Sequence, residues 1–147
     1  LVICPVCLQD VKAYPNGVTP EHNDTIGKTC YMSGRKAFTW DERATREAVA
    51  NRSGGICEYC HRHQAQEMHH RKSRGVGGEW SPANILHLCA RCHRHFTFEA
   101  RMDGYQLGVC LRRFEEPGEV PVTAYDGNTL WLTDDVAPPL NAGKERK

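Results

Sequence analysis

A small α+β fold stapled by metal is predicted by three observations on this 147-residue chain. Two C-x-x-C pairs, Cys57/Cys60 and Cys89/Cys92, stand about thirty residues apart. Between them, two short apolar stretches flank a glycine-containing loop, the pattern of an antiparallel strand pair. After the second pair, A-R-C-H-R-H-F-T-F-E-A reads as a helix. Each C-x-x-C turn presents two thiolates to one point, so two such turns can converge on a single tetrahedral zinc. Four thiolates leave that zinc no open position, so its role is structural.

The elements follow in order. Residues 1–36 form a separate zinc ribbon-like module, with Cys4 and Cys7 as a first knuckle and His22 and Cys30 as the remaining ligands of a second structural zinc. Thr39 to Asn51 reads as a support helix. Thr39 and Glu42 make a capping box, Trp40, Ala44, Ala48 and Val49 form the apolar stripe, and Ser53-Gly54-Gly55 ends the helix. Ala65–His69 and Ile85–Leu88 are the paired strands, and Ala90–Ala100 is the helix that closes the unit begun at residue 37. Residues 101–136 are a short β extension, with strands at Tyr105–Leu111, Val120–Tyr125 and Thr129–Thr133 and a turn at Asp126-Gly127. Residues 137–147, with Pro138-Pro139 and N-A-G-K-E-R-K, read as a disordered tail.

Net charge is only +1, so no global field points to a polyanion. The distribution is uneven: ten Lys/Arg against five Asp/Glu from Lys28 to Arg74, and six against nine from Glu99 onward. A basic middle suits a nucleic-acid-facing site. The plainer alternative for Arg43, Arg46 and Arg52 is a solvated helix face. Seven of the eight cysteines fit metal spacings, and Cys110 is left over. With no apolar run long enough to span a membrane and no secretory segment, a reducing cytoplasmic compartment is expected.

Imidazoles are present beyond what a structural zinc needs. The doublet His69-His70, then Arg74-Gly-Val-Gly-Gly78, then Asn84, then His93 directly after the last cysteine, resemble the HNH endonucleases with their ββα-metal module. The resemblance covers roughly residues 54 to 98. It implies a DNA phosphodiester hydrolase with a catalytic divalent ion (Mg2+, Mn2+, Ni2+ or Zn2+) beside one or two structural Zn2+. His69 and His93 would hold the catalytic ion, His70 would be the general base, and Asn84 would orient the base or fasten the loop. Arg71, Lys72 and Arg74 are placed for DNA phosphates. The swapped assignment, His69 as base, and His95 as ligand in place of His93 stay open. His87 is expected to be structural, and His61 and His63 exposed.

Adjacent residues of a strand point to opposite faces, so His69 and His70 can serve one spot only where the strand ends or twists. Many family members have aspartate where this chain has His69. Two imidazoles suit softer ions than magnesium. The ending G-K-T-C-Y-M-S-G-R is similar to zinc ribbons at the front of some phage proteins, including HNH proteins that assist genome packaging. That similarity implies phage terminase subunits as partners and a bacterial host cytoplasm. One HNH site cuts one strand, so a homodimer is a further expectation. The competing function is a zinc-stapled DNA-binding or assembly module that does not cleave. A secreted disulfide protein would leave the histidine spacing to coincidence.

Overall fold

The computed structural model describes the backbone of residues 2–3 and 10–11 and the whole of residues 39–136. The described residues fall in two compact units, one holding the first two strands and the other beginning at Trp40. In the first, β1 (Val2–Ile3) pairs antiparallel with β2 (Asp10–Val11), so the two strands bracket Cys4 and Cys7 in sequence. Cys4, Cys7, His22 and Cys30, and the expected tail at 137–147, lie outside the described residues.

The second unit opens with α1 (Glu42–Ser53). Its N-cap is Asp41, whose carboxylate accepts from the Ala44 amide at 2.8 Å; the capping box expected from Thr39 does not form. Asp41 sits one residue before the first helical turn, where a carboxylate oxygen reaches the free amides directly. Gly54, at φ 63°, ends the helix in the left-handed conformation that glycine adopts without a Cβ penalty. Ala44, Thr45 and Val49 form its buried face.

Strand β3 (Glu67–His70) pairs antiparallel with β4 (Ile85–Leu88), with His69 opposite Leu86 and His70 opposite Ile85. All four residues of β4 are buried, His87 included. The His87 ring nitrogen Nδ1 meets Ser53 Oγ at 2.7 Å, which gives the buried imidazole its partner and the structural role expected of it. Glu58 is buried as well and is matched by Arg52 of α1. Arg52 donates to both Glu58 carboxylate oxygens, at 2.7 and 2.9 Å, and to the carbonyls of Pro82 and Ile85, both at 2.7 Å. Arg52 therefore pins α1 to the hairpin and is not part of a solvated face.

The closing helix is shorter than expected. Helix α2 (Ala90–Arg94) passes into a π-helical turn over His95–Glu99, and α3 (Arg101–Leu107) follows. The strand expected at Tyr105–Leu111 is therefore a helix end and a turn, stopped by Gly108 at φ 72°. Packing decides this: a Cβ on Gly104 would stand 2.6 Å from Cys110 Sγ, so the bare helix face admits the returning chain. Strands β5 (Val122–Thr123) and β6 (Thr129–Leu130) form a hairpin whose turn includes Gly127 at φ 82°, as Asp126-Gly127 predicts. The core gathers Leu86, Leu88, Phe96, Val109, Val122 and Leu132 around the cysteines. At the edge of the unit, the Trp40 indole donates to the Asp134 carbonyl at 3.2 Å, and Asp134 Oδ1 accepts from the Ala83 amide at 2.8 Å. No helix among the described residues is long and apolar enough to cross a membrane.

Candidate metal centre and active site

The first knuckle is a tight turn: the His61 amide donates to the Cys57 carbonyl at 3.0 Å, and the Cys57 amide to the His63 carbonyl at 2.9 Å. His61 takes φ 56° there, and both histidines are exposed as expected. The second knuckle is the start of α2, where Cys89 Sγ accepts from the Cys92 amide at 3.4 Å. Together they bring the four sulfurs of Cys57, Cys60, Cys89 and Cys92 within 4.8 Å of one another, with Cys60 and Cys89 at 4.0 Å. A tetrahedral zinc with bonds of ~2.3 Å needs sulfur separations of about 3.8 Å. Four soft donors at that spacing, none in a disulfide, fit zinc in both chemistry and size.

Thiol acidities agree with a site made for a cation. Burial pushes Cys57 up, and pushes Cys92 up further with help from the thiols around it. Burial also pushes Cys60 up, but the amides of Arg62 and His63 and two neighbouring thiols outweigh it and hold Cys60 at about 7. Buried thiols crowded together resist ionisation. A divalent cation offsets that resistance.

The histidines His69 and His93 meet where β3 faces α2. His69 is buried on the β3 face toward α2, and its ring centroid is 5.3 Å from that of His93, at 72° between planes. Glu67, two residues before His69, shares its strand face, and its carboxylate contacts His93 Nδ1. His69 Nε2 meets the Val109 carbonyl oxygen at 3.0 Å, with Cys110 Sγ 3.9 Å away. Burial drives the His69 pKa down to about 4, against the Val109 hydrogen bond, so this imidazole is neutral near neutral pH. His95 pairs with Glu99 at 3.2 Å and points to solvent.

His70 is the last residue of β3, yet it faces away from His69. Its ring packs edge-on against Trp80 at 4.5 Å, and the Arg46 guanidinium lies 4.9 Å above the same indole. Its Nε2 is buried and makes no hydrogen bond. Burial lowers the His70 pKa, and Arg74 and Arg46 lower it further against the pull of Glu42. The structure thus brings His69, His93 and Glu67 together and sets His70 apart from them.

Asn84 is buried and ties down the loop between the strands. Its Oδ1 accepts from the Lys72 amide at 2.8 Å, and its Nδ2 donates to the carbonyls of Lys72 (3.1 Å) and Glu79 (3.0 Å). Of the two tasks expected of Asn84, the contacts match the fastening of the loop.

The expected basic trio divides. Arg74 is exposed and Lys72 is half-buried, with Glu116 at 3.9 Å. Arg71 is 1% exposed and donates to four backbone carbonyls, so it cannot meet a phosphate. A run of R-K-S-R next to a histidine pair looks like a phosphate patch; the burial of its first member depends on chain segments far away in sequence. Glu67 was missed for a different reason. Its signal was present, because period-2 alternation from His69 places it on the same strand face, toward His93.

The family model described as HNH endonuclease matches residues 57–99. The chain matches no curated protein and no solved structure. The matched segment runs from the first zinc-type cysteine to the end of the π-turn, and so contains both knuckles, the hairpin, Asn84 and His93. Residues 57–99 thus match the HNH endonuclease family model, and the same stretch is built as a small α+β unit around a four-cysteine cluster, consistent with the ββα-metal fold of that family.

Proposed function

We propose that the protein is a divalent-metal-dependent endonuclease that hydrolyses DNA phosphodiester bonds. The observation that carries this reading is the approach of His69 and His93, 5.3 Å between rings, across the interface of hairpin and helix. Both rings belong to elements that the cysteine cluster holds together. Zinc at Cys57, Cys60, Cys89 and Cys92 fixes β3 relative to α2. His69 and His93 would hold the catalytic ion, and Glu67 would add a carboxylate. When bound, that ion withdraws charge from a phosphate oxygen and stabilises the leaving 3′ oxygen.

His70 is the general base. Its lowered pKa keeps the imidazole neutral and able to take a proton from water. Trp80 covers it on the face opposite His69, so His70 can act only where DNA displaces the Arg74–Trp80 loop and the end of β3 twists to turn His70 toward the ion. Arg74, and Lys72 beside it, contact phosphates and position the strand without reading its sequence. Asn84 keeps the loop's base in place while its tip moves. The division of the chain into residues 1–36 as a zinc ribbon using Cys4, Cys7, His22 and Cys30, residues 37–100 as the nuclease unit, and 101–136 as an extension is part of the same proposal. Phage origin, terminase subunits as partners and a homodimer that cuts both strands complete it. The support for the first two is the similarity of the N-terminal ending, of L-C-A-R-C-H-R-H-F and of the G-Y and V-P-V segments after it to phage-encoded HNH proteins; the support for the dimer is that one HNH site cuts one strand.

A binding-only module is the second reading, and one observation favours it. Among the described residues, the four thiols are the only group of three or more potential ligands whose donor atoms converge. His69 Nε2 is engaged by a carbonyl, and Glu67 and His93 engage each other.

Plasmid nicking by the purified chain with Mg2+, Mn2+, Ni2+ or Zn2+, with His70→Ala alongside, separates the two. Cleavage that needs added ion and falls by at least about 100-fold in a folded, zinc-loaded His70→Ala protein is the expected result. Gel-shift of DNA with no cleavage under any ion leaves only the binding module.

A further inference from the structure

The guanidinium that the sequence assigns to phosphate is instead spent entirely on the backbone of the unit. Arg71 Nε donates to the Gly108 carbonyl at 2.9 Å. Nη1 donates to Ala83 and Pro117, both at 2.8 Å, and Nη2 to Val120 at 2.5 Å. Its main chain is tied as well: the Arg71 amide donates to the Asn84 carbonyl at 2.8 Å, and its carbonyl accepts from the Leu111 amide at 2.7 Å. One residue thus holds the loop before β4 and four points of the stretch from Gly108 to Val120 against the end of β3.

Val109 lies between two of those ties, the Gly108 carbonyl and the Leu111 amide. Its own carbonyl is the oxygen 3.0 Å from His69 Nε2. A carbonyl oxygen only accepts, so Nε2 must carry the proton. In a neutral imidazole that leaves the lone pair on Nδ1. A histidine whose far nitrogen is held this way is fixed in orientation and made a better donor to a metal. The fork geometry of arginine is needed for the clamp, since a lysine ammonium offers a single point in place of five planar N–H donors.

We propose that Arg71 is a positioning residue for the catalytic ion. By clamping Gly108–Val120 to β3, it sets the Val109 carbonyl on His69 and leaves Nδ1 as the nitrogen that binds. The inference rests on the reading of His69 as a ligand. It adds that the feature orienting this ligand lies at residues 108–120, beyond the matched segment 57–99.

The test uses the full, zinc-loaded chain labelled with 15N-histidine, whose two-bond 15N–1H spectra report tautomers without added metal. The wild type is expected to show His69 protonated at Nε2. Arg71→Lys is expected to keep its zinc and its circular dichroism, to show a mixed His69 tautomer, and to bind Mn2+ about tenfold or more weakly. A wild-type His69 protonated at Nδ1 overturns the proposal. So does an Arg71→Lys protein with unchanged tautomer and Mn2+ affinity. Should the lysine variant lose its zinc, the 15N-arginine spectrum of the wild type decides. Slowly exchanging Arg71 Nε and Nη protons beside an Nε2-protonated His69 support the clamp, and fast exchange overturns it. Failure of Mn2+ to broaden His69 and His93 in the wild type counts against the ligand assignment alone, because the tautomer is read separately.

Discussion

Two donor clusters of one hairpin-and-helix unit differ sharply in chemistry. In one, four sulfurs lie within 4.8 Å of one another, mostly buried and complete in themselves. In the other, two imidazoles and a carboxylate gather loosely, with His93 and Glu67 partly open to solvent. The same β3 and α2 serve both. Four soft donors fill a tetrahedral ion and suit a structural staple, whereas fewer, harder donors suit an ion that keeps open positions. The comparison teaches that the identity and number of the donors, rather than the scaffold, separate architecture from chemistry here.

The largest expected effect breaks the first cluster. Cys92→Ser should release zinc and unfold the unit, because structural zinc contributes roughly 10–16 kcal/mol of binding free energy to such folds. Zinc content and circular dichroism check it, and a folded variant with a full complement of zinc would remove the distinction. His93→Ala breaks the second cluster. It should leave zinc content and melting temperature near wild type while nicking falls at least ~100-fold, since even outer partners of metal ligands cost 10–100-fold. Arg52→Ala tests what sets the hairpin against α1. The Glu58 carboxylate is left buried without its partner, and a loss of about 3–5 kcal/mol is expected in denaturant unfolding. The smallest effect is on substrate. Arg74→Ala should weaken DNA binding modestly and lower the slope of log K against log salt by about 1. Zinc affinity should not move.

How much was readable from the sequence tracks how local the cause is. The limits of β4, Ile85 to Leu88, are those predicted, since Asn84 and Cys89 frame an apolar run. The two knuckles were equally plain, because C-x-x-C is a local turn with a fixed purpose. Strand composition at Tyr105–Leu111 misled because Y-Q-L-G-V-C-L suits either period, and the choice was made by Gly104 facing Cys110. Asp41 rather than Thr39 caps α1, a shift of two residues that only the start of the helix could decide. Arg71 could not be read at all. Its carbonyl partners come from residues 83, 108, 117 and 120, and nothing in the local run R-K-S-R distinguishes a clamp from a solvated charge. The histidine doublet shows a third case. Alternation along β3 was foreseen, but that His70 would lie under Trp80 depended on the fold of the glycine-containing loop.

The hydrogen bond from the Trp40 indole to the Asp134 carbonyl joins positions 94 residues apart in sequence. Entry to and exit from the nuclease unit therefore occur at one corner. A stretch of chain with coincident ends is a cassette: it can be spliced into a single loop of a host protein without stretching either one. For this unit the natural cut points are Trp40 and Asp134, well outside the limits of the family match. A transplant trimmed to residues 57–99 would leave behind Arg52, three of the four carbonyls that receive the Arg71 side chain and the part of the core supplied by Val109, Val122 and Leu132.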